Sequence, residues 1–139
     1  MSDLPYMEAL LRELFSIETE FACDPVRQSR GLRLLLKDRK AGVWVASSGA
    51  GIVGMVTVQL VVSTAEGGLS GILEDLVVGE EHRNAGIGAL LLETAVQWTR
   101  NSGATRIQLL SDRRNAAAFR FYFRHGWEPT HMVTLRRML

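Results

Sequence analysis

The stretch HRNAGIGALLLE, residues 82–93, sets an arginine three residues ahead of the first of two glycines, Gly86 and Gly88, which open an apolar run. Glycine at a helix start loses backbone entropy that alanine would keep, so bare backbone there must answer a need. A strand, a loop, two glycines and a helix is the layout of an anion site. Amide N–H groups at a helix N-terminus point outward and carry roughly half a positive charge in the aligned-dipole picture, and side chains would block the approach of a phosphate. Two nucleotide versions of this layout fail. A triphosphate loop needs a glycine followed by lysine, which occurs nowhere in the chain. A dinucleotide fingerprint needs a third glycine where Leu91 stands and an acidic side chain about 20 positions on, where Arg106 and its neighbours offer none.

Other reactive side chains give little. His82, His125 and His131 make no metal-ligand spacing, so no metal is assigned. The lone Cys23 excludes an internal disulfide; with no histidine nearby in sequence it reads as a small buried thiol rather than an acyl carrier.

The elements that must position the glycine turn follow from the pattern. A chain of 139 residues, 47% apolar with 3 prolines, predicts one domain over 1–139 with a real core. No apolar stretch approaches the roughly 18 residues of a membrane span and no secretion signal opens the chain, so a cytoplasmic protein is expected. From Arg100 onward there are 8 arginines against Asp112 and Glu128, a basic end that suits an anionic ligand or forms a solvated face. Nucleic acid is the weaker reading, because the pI of about 8.0 is modest for a dedicated binder.

SDLPYMEALLRELFSIETEF carries a capping Ser2 or Asp3, Pro5 in the first turn, and apolar Met7, Leu10, Leu11, Leu14, Phe15 and Phe21 at near-helical spacing. DPVRQSRGLRLLLKD predicts a second helix with Asp24 as cap and Pro25 leading. GVWVASS and GIVGMVTVQLVVS read as an antiparallel hairpin turning at residues 47–51, and GILEDLVV as a further strand. In that strand Glu74 and Asp75 would point to opposite faces. A helix with the stripe Ile87, Leu91, Ala95 and Trp98 stops at Gly103; TRIQLLS is a strand, NAAAFRFYFRH a helix ending at Gly126, and MVTLRRML a last strand. Hairpins mixed with crossovers imply an α/β or α+β fold with mixed strand directions.

What remains at residues 83–88 is R-x-x-G-x-G, and here the chain resembles the GNAT N-acetyltransferases. Their coenzyme A pyrophosphate segment has the form Gln/Arg-x-x-Gly-x-Gly/Ala. A second match lies downstream in NAAAFRFYFRHGW, where Asn115, Ala118, Phe121, Tyr122, Gly126 and Trp127 fall at the family's positions. The two cover roughly residues 40 to 135. The resemblance implies a mixed, largely antiparallel sheet flanked by helices, with acetyl-CoA as cosubstrate and a small-molecule or peptide amine as acceptor. It assigns the pyrophosphate to backbone amides of Arg83, Asn84, Ala85, Gly86, Ile87, Gly88 and Ala89, with Arg83 adding charge. Leu76 and Val78 would pair with the pantetheine arm, and the Val78 N–H would polarise the thioester carbonyl. Asn115 would touch the coenzyme arm while serving as a helix cap, and Tyr122 would protonate the leaving thiolate, unless it is a core aromatic with its hydroxyl satisfied locally.

An alkylamine has a reference pKa near 10.4, so a base is needed at neutral pH. Members with a similar Leu-Glu-Asp strand associate the glutamate with base catalysis through water, which selects Glu74, with Asp75 as substrate contact or ion-pair partner; the competing reading pairs one of them with an arginine of the basic end. A sensor of acyl-CoA would keep Arg83, Gly86 and Gly88 but need neither Glu74 nor Tyr122, so catalysis by direct attack in a ternary complex ranks first. The chain departs from the family in lacking the usual first strand before its first helix. Either the sheet begins near Gly42 with an exposed edge that invites a homodimer, or the sequence is internal to a longer product.

Overall fold

A computed structural model describes residues 3–49 and 51–139. Helix α1 (Leu4–Ile17) starts at Asp3, whose backbone carbonyl accepts from Tyr6 and Met7, with Pro5 in the first turn; Ser2 lies outside the described residues. Its buried face is Leu4, Met7, Leu10, Leu11 and Leu14. Phe21 does not continue that stripe: the helix ends at Ile17, and Phe21 stands exposed in the following loop against the edge of the Phe15 ring. Helix α2 (Pro25–Lys37) opens as expected, the Asp24 carboxylate accepting from the amides of Val26 and Arg27 at 3.1 Å each.

Strands β1 (Ala41–Ser48), β2 (Gly51–Ser63) and β3 (Gly68–Leu73) form an antiparallel meander. After β3 come the two-residue β4 (Val77–Val78), a 3₁₀ turn at Glu80–His82 and helix α3 (Ile87–Asn101). The short β5 (Ile107–Leu109) then pairs parallel with β3, and helix α4 (Ala116–Arg124) follows. Among the described residues no strand precedes α1, and β1 forms one edge of the sheet.

Strand alternation on β2 assigns the layers. Met55 joins α1, α2 and Val77 in one apolar cluster. Val56 and Val58 face the other way and pack with Leu73, Leu91, Leu92 and Ala95, bordered by Phe121, Tyr122 and Trp127. The sheet is thus sandwiched, with α1 and α2 on one face and α3 and α4 on the other. Gly71 allows α3 its close approach, since a Cβ there would lie 2.6 Å from Thr99 Cγ2.

Two expectations fail. Residues 71–78 are not one strand: β2 pairs Val58 with Leu73 but Met55 with Val77, so three residues, Glu74 to Leu76, oppose two. That extra residue is a β-bulge, which breaks the ladder and the alternation of faces. MVTLRRML forms no strand either; residues 128–139 run without regular structure and are all exposed.

Candidate functional site

The bulge opens the sheet. β3 pairs with β5 as far as Leu73, whereas β4 pairs with β2, so the two strand ends part beyond residue 73. The Gly79 amide donates to the Val53 carbonyl at 2.8 Å, making 53 and 79 a bonded pair and Gly54–Val78 the non-bonded pair next to it. The N–H and C=O of Val78 therefore face away from β2. Its carbonyl accepts from Arg83 Nε at 2.9 Å, and its N–H faces the parting of the strands. Leu76, half-buried, lies in the bulge and packs on the α3 side of the core.

The turn ahead of α3 is built from left-handed backbone. Asn84 has φ of 62° and Gly86, the N-cap, φ of 83°. Residues 83–86 are exposed, and no side chain caps the amides at 87–89, which lie too early in the helix to find intrahelical acceptors. Gly86 is required by its backbone angle; Gly88 faces Phe121, 3.5 Å from where its Cβ would lie. Arg83 is also tied to α1: its Nη2 meets Glu13 Oε1 at 2.9 Å, and the same oxygen accepts from the Glu80 amide at 2.7 Å. Glu13, which the sequence did not single out, thus joins α1 to both ends of the approach to the turn.

Glu74 and Asp75 were expected on opposite faces; the bulge instead turns both toward a hollow of about 340 Å³ beneath α2, walled by Leu11, Phe15, Leu32 and Leu35. The buried Thr57 hydroxyl donates to Asp75 Oδ2 at 3.1 Å and accepts from the Asp75 amide at 3.2 Å, while the Thr57 carbonyl accepts from the Glu74 amide. Asp75 is held above the usual carboxylate range by burial, opposed by the Thr57 hydrogen bond. Glu74, at the open rim, is raised by partial burial and then by Asp75. No arginine pairs with either among the described residues.

Glu18, just past α1, joins this group. Burial raises its carboxyl, and so do the charges of Asp75, Glu74 and Asp112. Nothing in linear spacing marks it, because its neighbours lie more than 50 residues away in the chain. The same Glu18 charge, after burial, pushes Tyr122 up to about 12. Tyr122 packs edge-on to Phe121 and against Trp127. Asn115 caps α4, its Oδ1 accepting from the Ala118 amide at 3.1 Å. Cys23 is exposed rather than buried, with Sγ 3.8 Å from Gln28 Oε1. Among the described residues no three His, Cys, Asp or Glu side chains converge closely enough to hold a metal ion.

Comparison with known proteins agrees with this geometry. The family model described as "Acetyltransferase (GNAT) family" matches residues 5–127. The chain belongs to the GNAT family. Rat N-acetyltransferase 8 is 35% identical over 95 residues, 68% of this chain and 43% of that protein, so this GNAT chain spans under half of that curated relative. The crystal structure of a transcriptional regulator from Bacillus halodurans C-125 superposes with a TM-score of 0.87 at 25% identity, covering 99% of this chain and 95% of that one. The aminoglycoside N-acetyltransferase AAC(6')-Iy in complex with CoA shares the fold, with a TM-score of 0.84 at 16% identity over 99% of this chain and 89% of that one. GNAT proteins use acetyl-CoA as acyl donor.

Proposed function

We propose that this domain transfers an acetyl group from acetyl-CoA to a cationic primary amine by direct attack, with Glu74 as base and Tyr122 as proton donor. The observation that carries the reading is the opening at the bulge. On the α1–α2 side it brings Glu18, Glu74 and Asp75 together; through the Glu18 charge it reaches Tyr122 on the opposite side. A primary ammonium is drawn to three carboxylates, and its alkyl body fits the leucine and phenylalanine walls of the hollow.

Backbone amides at 86–89, with Arg83 beside them, hold the pyrophosphate. The Val78 N–H donates to the thioester carbonyl oxygen as negative charge builds there. Glu74, its proton affinity raised, takes a proton from the ammonium directly or through one water; the amine lone pair forms the C–N bond, and the C–S bond breaks. Tyr122 donates toward the departing sulfur, and the second proton lost by nitrogen restores the balance. With its pKa near 12, Tyr122 keeps its proton throughout the neutral range and remains a donor. The deciding experiment is thiol release from acetyl-CoA against monoamines, polyamines, aminoglycosides and lysine peptides. Turnover with cationic amines is expected. Stabilisation by acetyl-CoA with no turnover on any amine would refute catalysis; absence of any thermal shift would refute the cosubstrate as well.

A further inference from the structure

Helix α2 carries charge that the proposed reaction does not use. Residues 27–40 hold six cationic side chains, Arg27, Arg30, Arg33, Lys37, Arg39 and Lys40, against the single acidic Asp38. Only Leu32 of the helix is buried. The face turned away from it exposes Arg30, Arg33 and Lys37, together with Val26 at 77% and Leu34 at 66%. Arg27 is engaged by the Asp24 cap at 3.2 Å, whereas Arg30, Arg33 and Lys37 make no ion pair among the described residues. Their spacing of three and four residues sets them in a row about 10 Å long on one side of the helix. With Val26, Ser29 and Leu34 that row lines an open hollow of about 410 Å³.

Leu34 joins this hollow to the one that holds Glu74 and Asp75, because its side chain lines both. Helix α2 is thus a ridge between a cationic and an acidic depression, with Leu34 on the crest. A uniform polyanion laid along the row would meet Glu74 and Asp75 across the ridge and be repelled there. A polypeptide can instead set a cation and anions side by side, and Val26 and Leu34 give it apolar contacts. We propose that the acceptor is a lysine within an acidic polypeptide segment. Its ammonium enters the hollow of Glu74 and Asp75, and acidic side chains three or four residues away cross Leu34 to Arg30, Arg33 and Lys37. The span agrees: a helix with its side chains is about 10 Å wide, and an extended chain advances about 3.3 Å per residue. This assignment rests on the acetyl-transfer reading for the group that reaches Glu74; the cationic row adds what selects the rest of the acceptor.

Fluorescent peptides that carry one lysine flanked by glutamate, alanine or arginine test this on the full chain. Anisotropy without acetyl-CoA reads binding apart from turnover. The glutamate peptide should bind about five- to ten-fold tighter than the alanine peptide, and Arg30→Gln with Arg33→Gln should bring the two within about two-fold. The same ratio should appear in the KM for thiol release, with kcat on the alanine peptide unchanged in the variant. Equal affinities of the three peptides for the unaltered chain overturn the proposal without reliance on any variant's folding. A preference that survives the double substitution overturns it as well. Vesicles with about 30% phosphatidylserine and a DNA duplex serve as competitors; if either displaces the glutamate peptide at a lower concentration of charge than the unlabelled peptide does, the polypeptide assignment falls. Turnover of glutamate and alanine peptides at equal KM removes the docking surface and leaves acetyl transfer standing. Glutamate-peptide binding that the variant abolishes, with no turnover of any amine, removes acetyl transfer and upholds the surface.

Discussion

Glu18, Glu74 and Asp75 all hold their protons more tightly in the fold than in a free chain, first because of burial and, for Glu18 and Glu74, also because of neighbouring carboxylates. The direction of linkage follows. A carboxyl whose folded pKa is raised contributes stability that is complete below the ordinary carboxylate range and is lost as pH rises through the raised value. Wherever these carboxyls ionise, their charge is held at the fold's expense. Glu74→Gln removes one of the three charges, so it should melt higher than the parent at about pH 7, with the difference vanishing toward about pH 4. If Glu74 is the base, the same variant loses about 10²-fold in kcat and its acidic limb in the pH–rate profile. A variant that melts lower, or keeps its rate, would remove Glu74 from this role. Tyr122→Phe is expected to lower kcat by about 10²-fold while leaving the KM for acetyl-CoA within about two-fold. Equal losses in binding and rate would instead mark Tyr122 as a packing residue.

At the scale of elements, the bulge and the glycine turn do different work and should fail differently. Gly86 sits at φ of 83°, so Gly86→Ala forces a left-handed alanine costing about 1 kcal/mol, and it should weaken acetyl-CoA because the amide cradle shifts. Gly71→Ala meets Thr99 and should destabilise by about 1–3 kcal/mol with the KM for acetyl-CoA unchanged. Melting curves paired with KM separate the two. Glu13 makes a third case. Its bond to Arg83 is about one-third exposed, so Glu13→Ala should raise the KM for acetyl-CoA only about three- to five-fold, with kcat held and partial rescue by Gln. The helices were legible because their signals are local: Asp24 with Pro25, the Leu10–Leu14 stripe, Gly103 and Gly126 as stops. The bulge was not, since the extra residue exists only relative to the register of β2. Glu18, Glu13 and the exposed tail were missed for a related reason. What each does is set by a partner far along the chain, as Arg136 of the tail is by Glu20.

Across the whole molecule, charge is separated in a way the overall balance of +1 hides. Acidic groups gather at the α1–α2 side of the opening, while the amides at the start of α3, which no side chain caps, give positive potential on the far side of the bulge. This polarity makes the two substrates respond to salt for different reasons. An acceptor with two or three ammonium groups would be drawn by Glu18, Glu74 and Asp75 from beyond contact distance, and that attraction is screened once the Debye length falls from about 14 Å at 0.05 M salt to about 4 Å at 0.5 M. The KM of a triamine should therefore rise several-fold over that range, and that of a simple monoamine much less, because its single charge is neutralised on contact. Replacing Glu18 by Gln should flatten the salt response of the triamine KM. Identical salt responses for both amines would show that the carboxylate group acts on the reacting nitrogen alone and not in selecting the acceptor's remaining charges.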